Sequence, residues 1–401
     1  GRKHWLDTLR RIRQAGSFKV GKPIWRAKKL REISSMRSQH SNHEILEHRQ
    51  WSELVGAEFR RKWKCNDLHY RSLVTDRLNS GEGSGMDVTP EDVQSALMRM
   101  RRRNQLDHYG CSAAGVLIVS KALPSEVSHI LSSTTRTKTS MEVFIVKGRA
   151  AAKDAGTITA DRTRVILPLP VTMSIIDATV AERLNRSVDD IAANVDPCFL
   201  ECARKGRQVM DITFPASLVI EKGMDMHSEA CVAQADVRQY YDNLRPLLLW
   251  RWMIDNSLDV GLANTFLRLH LCTQVVIKVG SEFTSIQNRC IGTLTGSRSA
   301  SAAGRIPLLD AARARSSRWK TLCFQSADKQ PALATFVDNL LSTGSSPEAA
   351  TKILEDCEDY LARTWSLQIG ADSREFVVCR GYRRPVTVNA QWKQQTSMKT
   401  L

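Results

Sequence analysis

No Cys-x-x-Cys pair and no Cys/His spacing suited to zinc occurs in the 401 residues, although the chain holds ten cysteines. Thiols scattered in this way argue against a metal module and against a disulfide framework, and they fit a reducing, intracellular compartment. Long apolar runs are lacking too. The best stretches, GVLIVSKAL and LLLWRWMI, are short and interrupted by Lys or Arg, whereas a membrane helix needs about 18 apolar residues. That predicts a soluble chain with no membrane partner. Neither the charged nor the apolar region of a signal peptide opens the sequence, and its first residue is Gly1, which predicts a segment of a longer polypeptide. With only 12 prolines and 21 glycines, and with 42 % apolar and 25 % charged residues, fibrous repeats and wholesale disorder are excluded. At roughly 150 residues per domain the length predicts two to three domains, and no internal repeat is present.

Acidic residues are in short supply: 42 Asp and Glu face 58 Lys and Arg, a net charge of +16. The surplus is concentrated in residues 1–70, where 17 Lys/Arg stand against 7 Asp/Glu, so +10 of the total lies in under a fifth of the chain. A field of this sign gathers polyanions, of which nucleic-acid phosphate is the commonest, although a solvated basic face has the same composition.

Residues 1–78 read as polar and mostly helical, with Trp5, Trp25, Trp51 and Trp63 set among basic residues, and they end in LNSGEGSG, a linker by composition. Next, Thr89 caps a predicted helix with Pro90 in its first turn, and Val93, Ala96, Leu97 and Met100 recur at helical spacing. Arg99, Arg101, Arg102 and Arg103 close that segment, suiting a helix C-terminus and equally a phosphate backbone. From residue 141 short apolar runs (VFIVK, TRVILPLP) predict strands, and MSIIDATVAERLN, residues 173–185, a helix. CVAQADV reads as a strand and the stretch from Leu247 to Met253 as helical. Ser346 caps a predicted amphipathic helix from Pro347 to Trp365, packing on a sheet through Ala350, Ile353, Leu354, Cys357 and Leu361. The order of strands and helices predicts an α+β architecture.

Two acids stand out by position. In DVRQYYDNL, residues 236–244, an apolar strand runs straight into Asp236; in FVDNLL, residues 336–341, apolar pairs flank Asp338–Asn339, a dipeptide suited to a tight hairpin turn. If the two strands are neighbours, Asp236 and Asp338 meet at one sheet edge. There they would share two magnesium ions roughly 4 Å apart, the arrangement that activates a 3′-hydroxyl and stabilises a leaving pyrophosphate. Either acid alone reads as an ordinary strand end or turn. Between them, residues 291–313 form a glycine-containing turn feeding a small-residue helix, which lets a backbone approach closely.

In these blocks, over roughly residues 88–401, the sequence resembles the reverse transcriptase domain of non-LTR (LINE-type) retrotransposons and group II introns. The resemblance implies right-hand polymerase fingers and palm, with an antiparallel palm sheet packed on helices and the thumb missing or truncated. It divides the chain into a basic segment and linker (1–85), a fingers-like region (86–225), a palm-like region with the catalytic blocks (226–385) and the start of a primer grip or thumb (386–401). By this likeness Asp236 and Asp338 are catalytic metal ligands, with Asn339 beside them, and Val237 offers its backbone carbonyl. Tyr241 is then the steric gate against a ribose 2′-hydroxyl. The turn GTLTGS is similar to the family's template-positioning Gly-x-Pro-Gln-Gly-Ser pattern, through Gly292, Thr295, Gly296 and Ser297. VFIVKG and TRVILPL resemble the strands whose Lys147 and Arg164 face the incoming triphosphate, and Arg374 lies near the place of a lysine beside it. The Gly-Pro-Asp-Gly turn of the fingers is matched by Asp107-His108-Tyr109-Gly110, and MKTL, residues 398–401, by the start of the primer-grip strand.

The implied activity is RNA-directed DNA polymerisation on an RNA template and a DNA primer with dNTP, and the implied location is nuclear. Departures from the pattern are Asn339 for the second Asp of the hairpin and Thr295 for the usual Gln. Asn keeps an oxygen but loses a full charge beside the metals, so a catalytically silent nucleic-acid-binding remnant of the same fold stands as the alternative. An RNA-dependent RNA polymerase is a third reading, since Asp236 and Asp242 resemble that group's spaced acids. Oligomeric state is left open.

Overall fold

The computed structural model describes residues 31–32, 48–80, 83–100, 104–152, 160, 163–204, 206–279, 282–286, 288–324, 331–379, 386 and 388–396. The architecture is mixed α+β, as expected. Along the chain come β1 (Arg31–Glu32), α1 (His48–Trp63), α2 (Leu68–Ser80), α3 (Pro90–Met98), α4 (Ala113–Ala122), α5 (Pro124–Arg136) and α6 (Lys138–Glu142). Then follow β2 (Ile145–Ala152), β3 (Arg164–Ile166), α7 (Val171–Ala192), β4 (Phe199–Glu201), α8 (Met210–Asp225) and β5 (Cys231–Asp236). Next are α9 (Tyr240–Asn243), α10 (Pro246–Asp255), α11 (Val260–Leu271), β6 (Gln274–Val279), β7 (Glu282–Ile286), α12 (Arg298–Ala303) and α13 (Ile306–Leu322). The chain closes with β8 (Leu333–Phe336), β9 (Asn339–Gly344), α14 (Pro347–Tyr360), β10 (Glu375–Val378) and β11 (Lys393–Gln394).

Two compact units are present: the smaller gathers the residues up to Glu58 with Gly148–Ile166 and Ile277–Thr284, and the larger holds the rest. One sheet has the order β1-β2-β6-β7, with β3 antiparallel to β2 and Arg149 opposite Ile166. The larger is organised on a six-stranded sheet, order β11-β10-β5-β9-β8-β4. Its four central strands are antiparallel, while β11 on β10 and β4 on β8 are parallel. The antiparallel sheet expected from the sequence therefore holds for the centre, and each edge adds a parallel strand.

The near-continuous apolar character of β5 has a simple cause: both of its faces are covered. Cys231, Ala233 and Ala235 share a core cluster with Ala350, Ile353, Leu354 and Cys357 of α14. Val232, pointing the other way by the period of two, joins Ile212, Ala216 and Val219 of α8. Burying a side chain such as Ile353 or Leu354 contributes about 1.5–3 kcal/mol, so α14 is held mainly by its inward stripe.

The predicted caps are present. Thr89 and Asp92 form a capping box at α3, and Ser346 Oγ accepts from the Ala349 N–H at 3.1 Å at the start of α14. The α-helix stops at Tyr360 rather than at Trp365; residues Leu361–Trp365 form a π-turn closed by Ser366 at φ +56°. This widened turn brings Trp365 Nε1 to Asp310 Oδ2 at 3.1 Å, and the same carboxylate accepts from Tyr360 and, through Oδ1, from Trp252. The stretch that reads as a linker is fastened at Gly83–Gly85: Gly83 N–H donates to Arg136 C=O, and Ser84 C=O accepts from Arg268. Among the described residues no single helix is long and apolar enough to cross a membrane; α4 and α5 reach that length only as a pair bent by 118°.

Candidate active site

The edge formed by the ends of β5 and the β8–β9 hairpin brings the two singled-out acids together. Asp236 stands opposite Asn339 in the antiparallel register, and the Val237 N–H donates to the Asp338 carbonyl at 2.9 Å. Asp236, Asp338 and Asn339 are each half-buried, and the Asn339 amide donates to Asp338 Oδ1 at 3.4 Å. The hairpin differs from expectation by one residue: Phe336 pairs with Asn339, so the turn is Val337–Asp338 and Asn339 begins β9. Val337 sits at φ +60°, a conformation in which hairpins favour Gly and a β-branched residue is strained. Strain of this sort persists only where the surroundings enforce it, here the paired strands on both sides.

The backbone of Asp236 is clamped from the other side. Its N–H donates to Ser373 Oγ at 3.0 Å and its carbonyl accepts from Gly370 N–H at 2.8 Å, while Val237 bridges to Ile369. Immediately after β5 the chain bends through Gln239 in the left-handed region and enters α9. Tyr240 is buried and its hydroxyl donates to the Gly304 carbonyl. Tyr241 is half-buried and bonds Ser301; burial raises its phenol pKa above the ordinary value, and the Asp338 charge adds to the shift.

Residues 292–297 dock onto this same bend. Gly292 N–H donates to Leu244 C=O at 2.8 Å and Thr293 N–H to Tyr241 C=O at 2.9 Å. Gly292, at φ +82°, lies so close to the Trp63 indole that a Cβ there would stand 2.7 Å from Cδ1. Trp63 Nε1 donates to Asp242 Oδ1 at 3.1 Å, and the Trp63 carbonyl accepts from Cys290 and Ile291 N–H. Ser297 caps α12 by accepting from Ala300 N–H, Gly296 is exposed at φ +101°, and Thr295 is half-buried.

Beneath the turn runs a buried chain of hydrogen bonds that the sequence reading missed. Asp177 of α7 accepts from Arg298 and Ser299 N–H and from Ser299 Oγ; burial pushes its carboxyl pKa up, and these donors pull it back. His270 Nδ1 accepts from Leu294 N–H at 3.0 Å, which leaves the proton on Nε2, 3.0 Å from Ser299 Oγ. Burial, with Arg289 nearby, lowers the His270 pKa to about 3, so the ring is neutral. The available signal was an acid and a histidine on otherwise apolar helical stretches, IIDATV and LRLHLC.

The other predicted residues are dispersed. Lys147 is exposed on β2, and Arg164 lies on β3 with its side chain outside the described residues. Arg374 is 8 % exposed and pairs with Glu358 of α14 at 2.8 Å, its guanidinium near the Trp392 ring. Arg99 pairs with Glu182 at 2.9 Å. Arg101, Arg102 and Arg103, and residues 398–401, lie outside the described residues. The segment Asp107–Gly110 does form a turn: Asp107 Oδ1 accepts from Tyr109 and Cys111 N–H, and its Oδ2 accepts from Val171 N–H at the start of α7.

Among the described residues no cluster of three or more His, Cys, Asp or Glu forms a ready-made metal cage. The donor set at the sheet edge is two carboxylates with an amide oxygen. That set fits magnesium, which is commonly held by one or two carboxylates together with substrate phosphates. No protein-family model matches the chain, and no curated protein matches it.

Proposed function

We propose that the chain is a template-directed nucleotidyltransferase, an RNA-directed DNA polymerase of right-hand fingers and palm form, working on an RNA template, a DNA primer and dNTP. The observation that carries this reading is the adjacency of Asp236, at the end of β5, and Asp338, in the turn between β8 and the paired β9, joined through the 2.9 Å bond from Val237 N–H to the Asp338 carbonyl. Docking of residues 292–297 on the Tyr241–Leu244 backbone supports it, because two blocks some 50 residues apart in sequence meet at the same edge.

Asp236 and Asp338, with the Val237 carbonyl and the Asn339 amide oxygen, are the groups that would hold two magnesium ions, whose chemistry is activation of a 3′-hydroxyl and stabilisation of the leaving pyrophosphate. The protein's own share is positioning. The clamp from Gly370 and Ser373 fixes the Asp236 backbone, the paired strands fix Asp338, and Tyr241 takes the place of a gate against the 2′-hydroxyl. Asn339 favours a second reading, a silent nucleic-acid-binding remnant of this fold, since it leaves one charge fewer beside the ions.

Primer extension on an RNA template with dNTP and magnesium separates the two. Extension abolished by Asp236→Ala, and reached at lower magnesium by Asn339→Asp, is the expected result. Absence of extension in the wild type and in Asn339→Asp alike, with template binding retained, supports the remnant. Incorporation of NTP in preference to dNTP points instead to an RNA polymerase.

A further inference from the structure

Arg289 is a buried cation whose guanidinium lies 5.5 Å from the centre of the Trp63 ring. It is 4 % exposed, its Nη2 donates to the carbonyl and hydroxyl of Thr273, and its Nη1 has no hydrogen-bond partner among the described residues. No carboxylate pairs with it among the described residues, in contrast to Arg305, which is buried against Glu201 and Asp189. A buried guanidinium in this state retains the cost of desolvation without the return of an ion pair. Such an arrangement makes sense where an anion arrives from outside.

The space for one is present. Arg289 lines a cavity of about 410 Å³ together with Arg71, Lys138, Glu142, Thr273 and Asn288. Arg71 and Asn288 also line an adjoining cavity of about 540 Å³ with Arg60, Lys64 and Ser285, and no acid is among the described residues of its wall. Among the described residues of the two walls five are basic and one, Glu142, is acidic; it is 3.5 Å from Lys138 on the same helix. Two cavities in series, each larger than one phosphate group needs and sharing an arginine, fit a ligand with repeated anionic groups better than a single ion. Bidentate arginine–phosphate geometry suits Arg71, the half-buried arginine common to both walls, with Arg289 behind it.

We infer that these two cavities form one trough that binds successive phosphates of a single nucleic-acid strand, with Arg289 as its buried anchor and Arg71 and Lys138 at its rim. The described walls of these cavities share no residue with the two-carboxylate edge, and the trough does not depend on its chemistry. Fluorescence anisotropy of a labelled 20-nucleotide single-stranded RNA, across a salt series, tests it with the full chain. Arg71→Gln/Lys138→Gln is expected to bind at least tenfold more weakly and to flatten the slope of log K against log salt by roughly 1.4, two contacts at about 0.7 each. Its melting temperature should match the wild type, because both side chains lie at the rim; Arg289→Met should show the same loss of binding even if it melts earlier. Asp236→Ala should bind as the wild type does, so that loss of polymerisation and loss of the trough are told apart. Unchanged affinity and slope in the double variant overturns the inference. So does a result in which inorganic phosphate raises the melting temperature of the wild type alone while strand affinity is equal in both, which marks a small-anion site instead.

Discussion

His270 shows how a single residue sets a pH limit on the fold. Its folded pKa of about 3 lies far below its ordinary value of 6.5, because burial excludes the charged ring. Between those values the unfolded chain takes up a proton that the folded one refuses. Stability is therefore full above about pH 6.5 and falls as the pH drops toward 3, by roughly 1.4 kcal/mol per unit. Urea midpoints measured from pH 7.5 to 4.5 should show this acid slope in the wild type and a flatter one in His270→Gln, which keeps an acceptor and a donor without titrating. Equal slopes would remove the role assigned to the ring. At this scale the sequence was legible where chemistry is local: Asp236 at a strand end and the caps Thr89 and Ser346 stand where they were read. The partners of Trp63, Asp177 and His270 were not legible, because each bonds a residue more than 20 positions away.

Among the elements, the turn 292–297 depends on two glycines for different reasons. Both have φ in the left-handed region, but a Cβ on Gly292 would meet the Trp63 indole at 2.7 Å, whereas one on Gly296 would have only the Leu167 carbonyl, at 3.8 Å. Gly296→Ala should cost about 1 kcal/mol from backbone strain alone. Gly292→Ala adds a clash with a fully packed ring and should cost about 2 kcal/mol more, in the range of overpacked cores. It should also lower primer extension, because the bonds from Gly292 and Thr293 to the Tyr241–Leu244 backbone loosen. Urea denaturation of the two variants side by side checks this; equal destabilisation would mean that Trp63 does not fill the space. Helices with sharp apolar periodicity and good caps, α3 and α14, were readable from sequence. The hairpin β6–β7 and helices α8 and α11 were not, since α11 is buried on every side and shows no amphipathic stripe.

For the whole molecule, the ten cysteines provide a test of how the core closes. All ten are free; nine are buried and only Cys111 is half-buried. Burial raises the thiol pKa of Cys198 and Cys272 to about 12 and of Cys202 to about 11, which suppresses the reactive thiolate. A thiol-specific reagent at pH 8 should therefore titrate one group per chain in the native protein, Cys111, and ten in guanidinium. Several fast-reacting thiols in the native state would show that the core opens readily.

The sequence by itself determined the mixed α+β class, the scatter of ten cysteines without a Cys-x-x-Cys pair, the basic surplus, and the strand and turn that carry Asp236 and Asp338. These follow from composition, apolar period and turn chemistry, which act over a few residues. Only the tertiary structure decided that β5 and β9 pair with Asp236 opposite Asn339, that the hairpin turns at Val337–Asp338, and that Arg289 is buried with no carboxylate paired to it among the described residues. Strand pairing and charge burial are settled by which distant segments exclude water together, and no local pattern encodes that choice.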